Sequence, residues 1–177
     1  MTNEAAPFGP ARLWRDLTID QRLALSAALW ADQESVPQQV EAVQLIARQL
    51  RFRPQSVLAQ PVEKRIRQLA NLHTVSESVA SRALVVYHLG SQRLMLGAFL
   101  TRLGISHEHG MIANTPMTAP EPAALRDAAQ ALATEFPADS VRLYLRTLAA
   151  QDPENWSALA EIASEIATGI ATEILPS

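Results

Sequence analysis

The apolar residues of this chain are overwhelmingly of the kinds that favour helices: 30 alanines and 23 leucines stand against nine aromatic residues. Small and unbranched apolar side chains lose little freedom in a helix, whereas sheets draw on Val, Ile, Thr and aromatics. The chain is therefore expected to be all-α. Its 177 residues suit one domain with a substantial core, and an apolar fraction of 48% supplies the material. There is no cysteine, so disulfides, thiolate metal sites and cysteine nucleophiles are excluded together.

Capping signals mark where the helices start. Thr18 stands three residues before Gln21 and Ser35 three before Gln38, two capping-box spacings that open helices near 19 and 36. In the second of these Val36, Val40, Val43, Ala47 and Leu50 form one expected buried stripe. Pro54 keeps Arg53 out of helical geometry, so that helix should end near Phe52, with a turn through Leu58. Pro61 fits the first position of a further helix over 61–72. Thr74 and Glu77 make a third box, for a helix through Tyr87.

Between Leu89 and Gly104 the pair Leu-Gly recurs every seven residues, which places Gly90 and Gly97 on one side of a helix and leaves a shallow channel there. Gly97 lies within an expected helix over 92–103, and its channel would admit a neighbouring helix. Whether Gly90 breaks the preceding helix, propensity leaves open. Gly104 suits a left-handed C-terminal cap, with Ile105 folding back on the last turn. Residues 105–122, with Asn114 and three prolines, show neither helical nor alternating periodicity and read as one long loop. Helices over 122–135, 140–150 and 153–174 follow. Pro137 ends the first, Asp139 caps the second, and Asp152-Pro153 opens the last, whose buried face runs from Trp156 to Ile174. The whole is a compact bundle of about seven or eight helices in a single domain, 1–177, with a sub-division at the loop into an N-terminal group (1–104) and a C-terminal group (123–177).

Nothing in residues 1–9 resembles a signal peptide, and no stretch approaches the ~18 uninterrupted apolar residues of a membrane span. A cytoplasmic protein is expected, without membrane contact. Fourteen arginines to one lysine, Lys64, fit a GC-rich bacterial coding sequence. The net charge of −3 is unevenly spread: residues 48–102 hold nine basic and two acidic side chains, residues 103–177 three and ten. Such a division attracts one part of the fold to the other or offers two faces to partners.

Three functional readings compete. His107-Glu108-His109, with His88 nearby in sequence, brings together side chains that ligate zinc-like ions or catalyse, although an alternating His-x-His fixes no geometry and the metalloprotease spacing is absent. No metal or cofactor is assigned on that basis. Helices over 61–93 resemble a loose helix-turn-helix, but the second offers one basic residue, Arg82, before Arg93, and the negative net charge weighs against nucleic acid. A patch of Arg51, Arg53, Lys64, Arg65 and Arg67, with Arg48, suits phosphate, an acidic partner or the acidic helices of the C-terminal third alike, and sequence does not choose among them. Phosphate-binding loops, nucleophile elbows and dinucleotide fingerprints are all missing. The balance favours a non-enzymatic helical interaction module that binds a protein partner or itself, with His88, Gly97, His107, Glu108 and His109 as candidate binding residues.

Overall fold

The computed structural model describes residues 8–113 and 117–172, and its helix boundaries follow local chemistry more often than periodicity. Six helices come first: α1 (Pro10–Asp16), α2 (Ile19–Ala31), α3 (Val36–Leu50), α4 (Pro54–Leu58), α5 (Val62–Ala70) and α6 (Glu77–Ser91). Then come α7 (Arg93–Arg102), the short strands β1 (His107–Glu108) and β2 (Met111–Ile112), α8 (Pro122–Glu135), α9 (Ala138–Gln151), α10 (Pro153–Trp156) and α11 (Ala158–Thr172). Among the described residues the fold is all-α apart from that hairpin. Helices beyond the expected seven or eight are α1, α4 and α10, of seven, five and four residues, too short to display a 3.6-residue period.

Two compact units divide at Gly90 and Ser91: residues 9–90, and residues 91 onward together with Phe8. The division precedes α7, which therefore belongs with the C-terminal helices and not with the group that ends at 104. Helix α6 runs through Gly90 and stops at Ser91.

In the N-terminal unit the Thr18 box forms as its spacing implies. Gln21 N–H donates to Thr18 Oγ1 at 3.2 Å, and Thr18 N–H to Gln21 Oε1 at 3.0 Å. The Ser35 box does not form, although α3 begins where expected. Ser35 donates to Asp32 and accepts from Arg82 Nε at 2.7 Å, so a charged partner 47 residues away takes the hydroxyl. Helix α6 is capped by Ser76, whose Oγ accepts from Val79 N–H at 3.2 Å, and not by Thr74. Glu77 is thereby left to reach α1, where its Oε2 accepts from Ala11 N–H at 3.0 Å, a carboxylate at a helix N-terminus.

The expected buried stripe of α3 is rotated. Ala42, Val43, Ile46 and Ala47 are buried, while Val36 and Val40 are 55% and 49% exposed. Helix α3 ends in a Schellman turn, with Phe52 N–H donating to Ala47 O at 2.9 Å and Arg51 in the left-handed region at φ 54°. The following segment, expected as a turn, is α4, with Pro54 at its first position. Pro61 caps α5 from outside the helix. Helix α2 lies along α5, and Trp14 of α1 donates its Nε1–H to Leu72 O at 2.8 Å.

In the C-terminal unit α7 closes with the expected glycine cap. Gly104 has φ +68°, and Ile105 N–H donates to Leu100 O at 3.0 Å. Phe99 meets Tyr144 edge-on at 5.6 Å and Trp156 at 6.4 Å, forming the aromatic centre of the core. Burial pushes the Tyr144 phenol up. Helix α9 packs on α11, and α8 is joined to α11 by a two-pronged Arg126–Glu165 pair at 2.9 and 3.1 Å and to α7 by Arg102–Glu135. The expected single helix over 153–174 is two, because Ser157 interrupts it: Asp152 caps α10, and α11 starts anew at Ala158. Ile174 lies outside the described residues. Asp139 sits inside the first turn of α9, paired with Arg142 instead of capping.

Candidate functional site

The histidine segment folds as a hairpin. His107 pairs with Ile112 and Glu108 with Met111, and Ala113 N–H extends the ladder to Ser106 O at 3.2 Å. Its two turn residues, His109 and Gly110, both have positive φ, 50° and 89°, the combination a type I′ turn requires. Part of the expected loop is thus ordered by pairing, with Asn114 and Pro116 outside the described residues. The ring of His107 is engaged at both nitrogens. Gly110 N–H donates to Nδ1 at 3.3 Å, which leaves the proton on Nε2 for donation to Thr101 Oγ1 at 2.9 Å. Glu108 and His109 are exposed. Among the described residues no three His, Asp or Glu side chains gather where a metal ion could be held.

Gly97 and His107, reached by separate lines of sequence reasoning, are one structural feature. A Cβ at Gly97 would stand 3.2 Å from His107 Cε1, so the imidazole covers the gap that Gly97 leaves in α7. The channel expected to admit a neighbouring helix receives a side chain of the same chain. Gly110 fits as tightly against the helix, since a Cβ there would lie 2.7 Å from Leu96 Cβ. A Cβ at Gly90, by contrast, would meet nothing within 4 Å.

His88 belongs to the N-terminal unit, 3% exposed, with its ring edge-on to Tyr87 at 5.2 Å. Burial lowers its pKa to about 4, so the ring stays neutral across the physiological range.

The basic residues separate into two sets. Arg51 and Arg53 flank Phe52 in the turn between α3 and α4, with Arg48 one turn earlier on α3. All three arginines are exposed, and none is ion-paired among the described residues. Phe52 is 48% exposed, Leu50 at the end of α3 and Leu58 at the end of α4 are exposed too, and a groove of about 310 Å³ is lined by Gln44, Ala47, Arg48, Phe52 and Pro54. Lys64, Arg65 and Arg67 lie on α5. Lys64 and Arg67 are exposed, but Arg65 is turned inward, its guanidinium 4.9 Å over the Trp30 ring. Arg82, the basic residue that a helix-turn-helix reading of 61–93 needs on its second helix, is held by Asp32 at 2.8 Å and by Ser35. That pairing holds the Asp32 carboxyl below its usual range, through Ser35 first and Arg82 second.

The exposed apolar residues of the α3–α4 turn and the Trp30 pairing were not singled out from sequence. A signal existed for the first, since residues 42–62 carry three arginines and no acid. For Trp30 there was none. No family model matches the chain, and no curated protein or solved structure matches it either.

Proposed function

We propose that this protein is a non-enzymatic helical module that docks an acidic, apolar-anchored segment of a protein partner on its α3–α4 turn. The observation that carries the reading is the exposed Phe52 between Arg51 and Arg53, lining a groove, in a stretch (42–62) that holds no acid. Aromatic and arginine side chains dominate the binding energy of interfaces, because one supplies rigid apolar area and the other planar, bidentate pairing. Arg51 supports it further. A non-glycine residue in the left-handed region is held there at a cost, and such positions concentrate where a turn serves a function.

The test is a titration of the full-length protein with fluorescein-labelled peptides. One is acidic with a central Leu-Phe pair, a second has serine in place of each acid, and a duplex DNA and phosphatidylserine vesicles serve as controls. The acidic peptide should bind in a salt-sensitive manner and lose about tenfold in affinity in Phe52→Ala and in Arg51→Glu. Equal binding of both peptides, or retention of DNA or vesicles in preference to the acidic peptide, would remove the reading.

A further inference from the structure

Helices α2 and α5 meet along a polar seam. Arg22, Ser26 and Trp30 are four residues apart and share one face of α2, and Arg65 and Gln68 share a face of α5. Two contacts fix the register as antiparallel: Arg22 Nη1–H donates to Leu72 O at 3.3 Å, and Arg65 covers Trp30. At the Arg22 end the Leu72 carbonyl is met by two donors, from Trp14 and Arg22. Arg22 Nε nevertheless finds no partner, and towards the Trp30 end several more polar groups lack one. Trp30 Nε1, Arg65 Nε, Ser26 Oγ and Gln68 Oε1 are each shut off from solvent and find no hydrogen-bond partner among the described residues. Ser26 is completely buried. Native interiors satisfy such atoms almost without exception, so a hydrogen-bonding group from outside the chain belongs here.

We infer that the Trp30–Arg65 corner of this seam is a binding site for a carboxylate group, whose oxygens accept from Trp30 Nε1–H and Arg65 Nε–H. The unmet groups are mostly donors: two N–H groups and the Ser26 hydroxyl, against the single acceptor of Gln68. They also carry a charge, and Arg65 makes no direct ion pair among the described residues. Water would satisfy the hydrogen bonds but supply no opposite charge. A carboxylate does both. The Trp30 ring holds the guanidinium by its face, which leaves the edge of the arginine for in-plane pairing. Arg65 is half-buried, so part of its side chain meets solvent while Nε is covered, and a carboxylate reaches Nε only as the arginine shifts. The carboxylate comes either from a free small acid or from a Glu or Asp side chain of a partner. The site is independent of the α3–α4 turn, so failure of either proposal leaves the other standing.

The indole N–H resonances of ¹⁵N-labelled full-length protein read the site directly, with the Trp30 signal identified by Trp30→Phe. Acetate, inorganic phosphate, chloride and a glutamate-bearing peptide are titrated at constant ionic strength. A saturable shift of the Trp30 signal with acetate, while those of Trp14 and Trp156 stay in place, supports the site with a free acid as its ligand. The same shift with the peptide alone supports it with a partner's side chain as the ligand. Arg65→Met should then weaken binding about tenfold, and Ser26→Ala by less. A Trp30 signal moved only by phosphate, or by none of the four, overturns the inference. That decision rests on the unaltered protein and holds even where a variant does not fold. Phe52→Ala should leave the titration unchanged, which separates this site from the turn.

Discussion

The two turns that hold a non-glycine residue at positive φ use it in opposite ways. At the hairpin, His109 and Gly110 reverse the chain so that His107 lies over Gly97 and Gly110 touches Leu96; both ring nitrogens of His107 are bonded within the same unit. At the end of α3, Arg51 reverses the chain so that Phe52 faces outward between two unpaired arginines. Chemically the histidine segment is the more suggestive on paper. The donors and acceptors of the histidine are engaged within the unit, whereas the charge and apolar surface at Phe52 have no partner among the described residues, which is why the docking proposal rests on the second turn.

Substitutions can break this contrast, the largest effect being expected at the hairpin. Gly110→Ala combines a φ of +89° with a Cβ 2.7 Å from Leu96 Cβ, and should cost about 3 to 4 kcal/mol in chemical denaturation. A cost under about 1 kcal/mol would mean that the hairpin is not seated on α7. Next in size is an acid effect at His88. His88 has a pKa of about 4 in the folded state against about 6.5 unfolded, so the unfolded chain binds the extra proton between these values. Stability is complete above pH 6.5 and should fall by about 3 kcal/mol as pH drops towards 4. His88→Leu should flatten that slope; a slope unchanged in the variant assigns it to another group. His107→Ala, which leaves Thr101 and the Gly110 N–H without their partner, should cost about 1 to 2 kcal/mol and raise amide exchange at Gly110. The smallest effect has the opposite sign. Arg51→Gly should stabilise by up to about 1 kcal/mol, because glycine adopts the left-handed cap without strain, while the acidic peptide binds more weakly. Loss of stability in that variant would make Arg51 a structural residue and align the two turns.

Where a feature depended on neighbours in sequence, it could be read from sequence. The Thr18–Gln21 box, the Gly104 cap with Ile105 and the Asp152 cap are each closed within a few residues, and each is found where its spacing placed it. Ser35 carried the same signal as Thr18, but Arg82 lies 47 residues on and competes for its hydroxyl. The same limit applies to the stripe of α3. Val36 and Val40 are as apolar as Val43, and only the position of the other helices decides which of them is covered. It applies to the basic patch as well, where Arg65 differs from Lys64 and Arg67 only through Trp30, 35 residues earlier. Gly97 and His107 were both noticed, yet nothing local relates a helix glycine to a histidine ten residues later. The hairpin was passed over because its strands are two residues each, below any detectable alternation.

The capping of α1 by Glu77 bears on how this chain emerges during synthesis. Ala11 donates to a carboxylate 66 positions downstream, and Trp14 to a carbonyl 58 positions downstream. Neither acceptor exists until the chain has been made through Leu72 and Glu77, and a seven-residue helix is too short to persist alone. Helix α1 therefore gains its carboxylate cap and its indole contact only once the segment through Glu77 has been synthesised.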